Sequence, residues 1–338
     1  MRIDDARSHR CHRNQRPPHA RVDRDTCCTR DASRRHRENW GRGPPTRYAL
    51  HGRNAHRARD TASDGTTVPS SRRMVLSGAM QYWINLIGVP FDHLFPIAAE
   101  AERLGFVGLA LADHLAVPTL IESPYPGGAR PWTETDDWPD VWVMIGAMAA
   151  ATARLRFVTN VYIVPMRHPL ITAKAVGTAS VISNGRVVFG AGIGWMVEEF
   201  DSAASSFRTR GKRTDEILRI LRDAWDTGRV AAEGTHYRFA EVNLRPQPPS
   251  RIPIWIGGHS DAAVERAARF GDGWISGRTL NGAAPLIEQL RERRIALGRG
   301  GEPFDVAVSL YSSPTVAELD AHRRVGIENL KVDPWDGG

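Results

Sequence analysis

Eight short apolar runs, separated by stretches with helical spacing, constrain this chain more than any other feature. They occupy residues 81–87, 107–111, 155–163, 187–191, 254–256, 274–276, 306–310 and 329–332. Runs this short and this uniformly apolar are expected of strands buried on both faces, as in a parallel sheet. Between them, Leu94, Ile97, Ala98, Ala101 and Leu104 fall on one helical face that Gly105 closes. Ile217, Leu218, Leu221 and Trp225 line a second helix, read as residues 215–226 with Thr214 at its start. A third, residues 261–270, follows Ser260 as N-cap and stops at Gly271. Alternating strands and helices give an α/β fold, and eight repeats in about 265 residues match a (β/α)8 TIM barrel of roughly 250 residues. A doubly wound open sheet is the alternative. It calls for a glycine fingerprint after the first strand, which Ile87-Gly88-Val89-Pro90 lacks.

The first 73 residues do not share this pattern. They hold all three cysteines (Cys11, Cys27, Cys28) and 18 arginines against eight acidic residues, with no lysine. The formal charge of +7 therefore belongs to this arm, and residues 74–338 carry about −3. Such a composition buries no core, so a disordered extension is expected, with a barrel domain over residues 74–338. An upstream start codon, with Met74 or Met80 as the true start, explains the arm best. Charge-driven nucleic-acid binding is the other reading of it. Adjacent Cys27-Cys28 without a second spaced pair does not make a metal site. No apolar run reaches the roughly 20 residues of a membrane span, and a cytoplasmic protein is expected. The chain stops about six residues after the eighth run, so the closing helix of the barrel is expected to be missing.

Chemistry in such a barrel sits where strands end. The second run leads into Ala112-Asp113-His114, the third into Asn160-Val161, and the fourth into Gly192-Ile193-Gly194-Trp195. The fifth leads into Gly257-Gly258-His259-Ser260 at a helix start, where bare amides suit a phosphate. A histidine at a strand end can move a proton or hold a substrate oxygen, and an adjacent aspartate can fix its tautomer. Glycines at alternate positions of the fourth run, Gly190, Gly192 and Gly194, suggest backbone left bare for a flat ligand. Each feature has a plainer reading: Asp113 as a loop cap, His114 as packing, the glycines as simple turns. Two loops, over residues 118–139 and 231–253, interrupt the alternation, and the second contains a hairpin. Long loops at barrel tops cover active sites.

Together these segments resemble the luciferase-like monooxygenase family, most closely its deazaflavin (coenzyme F420) oxidoreductase branch. The resemblance rests on LADH (111–114), ATARLRFVTNVYIVPMRHPLITAKAV (151–176), ISNGRVVFGAGIGWMVEEF (182–200), RTRGKRTDEILRILRDAW (208–225) and PIWIGGHSDAAVERAARFGDGWI (253–275), in order. It implies a bacterial-luciferase-like barrel that moves hydride between F420 and a small organic substrate, with His114 and Asp113 as the catalytic pair beside the ring. It also implies a non-proline cis peptide at Asn160-Val161 behind the ring, cofactor contacts at Gly192, Ile193 and Gly194, and the cofactor's phosphate tail at Gly257, Gly258, His259 and Ser260. Arg208, Arg210, Lys212 and Arg213 would meet the acidic tail, or else form a solvated loop. Trp83, Trp132, Trp138 and Trp142 would frame an apolar pocket, or pack core and loops.

One departure stands out. The sugar-phosphate dehydrogenases of this branch carry an acidic proton donor after the fourth-strand glycines, where this chain has Trp195. The resemblance also leaves an FMN-dependent monooxygenase using O2 and a non-catalytic flavin or deazaflavin binder as alternatives. It points to a homodimer through the Ala- and Gly-rich helices at residues 141–152 and 171–182, whose small residues otherwise serve close packing on the barrel itself.

Overall fold

The computed structural model describes residues 80–333. The readings of the basic arm (disorder, start site, cysteines, nucleic-acid binding), the domain boundary at residues 73/74 and the missing closing helix fall on residues 1–79 and 334–338, outside the described residues.

Among the described residues, eight barrel positions follow the chain in order. They are β1 (Gln81–Asn85), β2 (Gly108–Leu111), β3 (Arg156–Thr159) continued by β4 (Tyr162–Ile163), β5 (Val187–Gly192), β8 (Ile254–Gly257), β9 (Gly273–Ile275), β10 (Asp305–Leu310) and β11 (Asn329–Val332). All pair in parallel. Pairing of β1 with β11 and of β3 with β5 closes the sheet into a barrel. The third apolar run, expected as one strand over 155–163, is two strands broken at Asn160-Val161.

Helices α1 (Leu94–Leu104), α2 (Val141–Ala151), α3 (Pro169–Ile182), α5 (Arg210–Thr227), α6 (Asp261–Phe270), α7 (Leu280–Ala296) and α8 (Val316–Arg324) follow successive barrel strands, with short α4 (Val197–Ser202) preceding α5. Gly105 ends α1 at φ 85°, and the Ser260 hydroxyl accepts from the Ala263 amide at the start of α6. The expected start of α5 at Thr214 is corrected: the N-cap is Thr209, and Thr214 is buried inside the helix with its hydroxyl donating to the Arg210 carbonyl. The hairpin forms as antiparallel β6 (Arg229–Glu233) and β7 (Arg238–Asn243), its turn held by the Glu216 carboxylate on the amides of Thr235, His236 and Tyr237.

Burial explains why the runs do not alternate in polarity. Outward residues such as Leu109, Phe157, Val187 and Ile254 pack under the helices. Inward residues Trp83, Ala110, Val158, Val188, Trp255, Ile275 and Ala307 form a separate core inside the barrel. Trp83 and Trp255 meet edge to face at 5.5 Å, each burying on the order of 200 Å². Their bulk requires glycine opposite: a Cβ at Gly108 would lie 2.5 Å from Trp83, and one at Gly273 would lie 2.4 Å from Trp255. No described helix is long and apolar enough to cross a membrane.

Candidate active site

Above the tryptophan layer the barrel interior turns polar and small. Asn85, Asn160, Gly190, Gly257, Ser309 and Lys331 face inward near the strand ends. Lys331 is in register with both Trp83 and Ser309. The Asn160 side chain joins three strands, donating to Asn85 Oδ1 at 3.3 Å and accepting from Lys331 Nζ at 3.2 Å.

The Asn160-Val161 peptide bond is cis. Val161 projects into space that two glycines leave open: a Cβ at Gly192 would lie 2.3 Å from its Cγ2, and one at Gly257 would lie 2.7 Å from its Cγ1. A Cβ at Gly190 would lie 1.7 Å from the Thr159 carbonyl oxygen. The fourth-run glycines thus give room to a neighbouring strand, where a bare ligand cradle was expected. Gly194, at φ 77°, backs onto Phe200 and Ile163, and Ile193 between them is half-buried.

His114 is buried just past β2. Its Nδ1 lies 2.8 Å from Oε2 of Glu199 on α4, which is 1% exposed. The other carboxylate oxygen accepts from the Leu115 amide at 2.6 Å. A buried carboxylate accepting at Nδ1 places the proton there in the neutral ring and leaves the Nε2 lone pair available. The rings of Trp138, Trp132 and Trp195 surround the imidazole at 4.5, 5.0 and 6.3 Å, and Tyr125 packs on Trp195 at 5.3 Å. Trp132 and Trp138 come from the loop of residues 118–139. Glu198, beside Glu199, pins that loop by accepting from the amides of Glu122 and Ser123.

Asp113 does something other than the sequence suggested. Its carboxylate takes the Arg167 guanidinium bidentately, at 2.5 and 2.8 Å, and accepts from the Ile163 amide at 2.9 Å. Burial pushes its carboxyl up, and Arg167 and the Ile163 amide pull it back. Asp113 therefore ties the end of β2 to β4, and Glu199, not Asp113, orients His114. In the sequence Glu199 carries no role of its own and stands only within the segment ISNGRVVFGAGIGWMVEEF (182–200). Its partner lies 85 residues away, and spacing along the chain carries no trace of the pair.

At the fifth strand end, His259 Nε2 lies 2.9 Å from Ser276 Oγ, which also accepts from the Arg278 amide. Burial, then Arg278 and Lys331, push His259 down to about 4, so it is neutral at pH 7. Any anion here would meet uncharged donors and the amides that open α6. A Cβ at Gly277, just past β9, would meet nothing within 4 Å, so this edge of the mouth is open.

The other sequence candidates divide by environment. Arg213 staples the carbonyls of Pro165 and Ser206, and Arg210 donates to the Gly194 carbonyl with its guanidinium over Phe207 at 3.5 Å. Arg208 and Lys212 are exposed. Trp83 belongs to the barrel interior, and Trp142 packs outside it on Tyr162 and Phe189. Lys331 was missed, although a lysine at the third place of the short run Asn329–Val332 shares its face with Asn329 and marks an inward polar stripe. No group of three or more His, Cys, Asp or Glu able to hold a metal exists among the described residues.

The model of the luciferase-like monooxygenase family matches residues 69–330. An uncharacterised protein of Mycobacterium tuberculosis is 32% identical over 250 residues, covering 72% of this chain and 85% of that protein. An F420-dependent glucose-6-phosphate dehydrogenase of Microbacterium testaceum is 30% identical over 188 residues, 55% of this chain and 52% of that enzyme. Among solved structures, the monooxygenase RslO1 from Streptomyces bottropensis superposes with a TM-score of 0.57 at 25% identity, covering 73% of this chain and 75% of that one.

Proposed function

This chain belongs to the luciferase-like monooxygenase family, and from that premise we propose that it is a coenzyme F420-dependent oxidoreductase acting on a small organic substrate. The carrying observation is the buried His114–Glu199 pair inside an aromatic enclosure, at the end of a strand whose neighbour ends in the Asn160-Val161 cis peptide. The F420 dependence of the dehydrogenase relative supports the choice of coenzyme.

When bound, the deazaflavin supplies a carbon that accepts or gives hydride. The chain's own residues do the rest. His114 Nε2 takes a proton from a substrate hydroxyl, or returns one to a carbonyl oxygen. Glu199 holds the imidazole in that tautomer and stabilises its charged form, as a buried carboxylate does for a catalytic histidine. Trp132, Trp138 and Trp195 exclude water. Val161 forms the floor, kept in place by Gly192, Gly257 and the Asp113–Arg167 tie. The start of α6, with neutral His259 and Ser260, receives the phosphate-bearing tail. Because Trp195 stands where the sugar-phosphate branch carries its acidic donor, we place the substrate outside the sugar phosphates. Exposed Val143 on α2 and Ile171, Val181 and Ile182 on α3 make that face our choice for self-association as a homodimer.

Titration of the full-length protein with F420 and with FMN tests this reading. Micromolar binding of F420 alone supports it. Tight binding of FMN alone, with oxygen consumption by the reduced complex, replaces it with a flavin monooxygenase.

A further inference from the structure

We infer that the ε-ammonium of Lys331 is the charge partner of the redox ring seated in the barrel mouth, favouring whichever oxidation state of that ring carries more negative charge. The inference rests on the reading that a deazaflavin or flavin ring occupies this mouth.

Lys331 is 3% exposed and points into the barrel interior, in register with Trp83 and Ser309. Its register partners Trp83 and Ser309 and its hydrogen-bond partner Asn160 are uncharged. Its ammonium donates to a neutral amide oxygen, Oδ1 of Asn160, the first residue of the bulge. An ammonium has three donors, and burying its charge is costly unless something answers it. Holding Asn160 in place needs only one neutral donor, and the Asp333 carboxylate offsets only part of the burial cost, so a positive charge kept in the barrel interior can also serve the site. Its surroundings define the field: Arg278 and Lys331 both press on His259, while the Asp333 carboxylate acts on Lys331. A fixed cation in a site of low polarity, next to the floor on which the ring would lie, stabilises electron density gained by that ring. Gain of hydride adds such density, so Lys331 would favour the reduced coenzyme.

The test is the reduction potential of full-length protein loaded with F420, and separately with FMN, measured by equilibration with redox dyes in wild type, Lys331→Met, Lys331→Gln and Lys331→Arg. In both neutral variants the reduced-to-oxidised ratio at a fixed ambient potential should fall at least about tenfold, equivalent to about 30 mV for a two-electron couple. Lys331→Arg should stay near the wild-type value. Either neutral variant alone decides the question if the other fails to fold. An unchanged potential in a neutral variant that still binds coenzyme overturns this inference and leaves the proposed function intact. Failure of wild type to bind either coenzyme removes both.

Discussion

Nδ1 of His114 and Oε2 of Glu199 lie 2.8 Å apart in a buried pair that joins the end of β2 to the first turn of α4. The same carboxylate caps Leu115 N, so Glu199 fixes both the ring and the backbone beside it. In 15N spectra His114 should appear as the Nδ1-protonated tautomer, and Glu199→Gln should convert it to a mixture, because an amide can present either oxygen or nitrogen to the ring. Turnover should fall by about 10²-fold or more in His114→Ala, the usual scale of a lost acid–base group, with little change in coenzyme affinity. Unchanged turnover would remove His114 from the mechanism.

Asp113 and Arg167 predict a different phenotype. Their side chains are 1% and 12% exposed, and each satisfies the other bidentately. Asp113→Ala leaves the half-buried Arg167 guanidinium without its carboxylate, and breaking a buried pair typically costs up to about 3–5 kcal/mol. Asp113→Asn, which still accepts from the Ile163 amide, should cost less. Urea unfolding of the two variants checks the order. If Asp113→Asn abolished turnover at wild-type stability, Asp113 would be a reacting group and not an anchor.

The barrel was legible because strands buried on both faces are short apolar runs, and the observed bounds differ from those runs by a residue or two at most positions. The exceptions have local causes. The run at 155–163 reads as one strand because neither Asn160 nor Val161 is a breaker, and the break is made by the cis peptide. α5 begins before Thr214 because Arg210 and Arg213 find carbonyl partners outside the helix that no periodicity records. Of the candidate site, the positions of Asp113, His114 and His259 just past strand ends were legible. The pairings were not: Glu199 with His114, Arg167 with Asp113 and Lys331 with Asn160 are separated by 85, 54 and 171 positions. Which carboxylate meets which ring is decided by the closure of the barrel.

Gly192 and Val161 offer a packing test. A Cβ at Gly192 would sit 2.3 Å from Val161 Cγ2, well inside contact distance. Gly192→Ala should lose about 1–3 kcal/mol, the usual cost of overpacking, and weaken coenzyme binding by displacing the floor. The double variant Gly192→Ala/Val161→Ala should recover part of both losses, giving a favourable coupling in a double-mutant cycle. Additive losses would mean that Val161 and Gly192 do not share this space.

Lys331 should reveal itself as a stability liability. Burial is the larger influence on it and Asp333 opposes, and the net effect brings the ammonium from 10.5 down to about 8. The unfolded chain therefore binds the proton more tightly than the folded one. Below about pH 8 both states are charged and the folded state bears the full net penalty, roughly 3 kcal/mol for a shift of that size. As pH rises from about 8 towards 10.5 the unfolded state must release a proton that the folded state has already lost, and the penalty fades. Lys331→Met should accordingly be more stable than wild type at pH 7, less the lost bond to Asn160, and the advantage should shrink on going to pH 10. Paired denaturation curves at the two pH values measure the difference. A variant less stable than wild type at pH 7 would mean that Lys331 is a structural tie whose charge is well compensated. A more stable one would show a buried charge retained at a cost to the fold, as expected of a residue kept for what it does in the site.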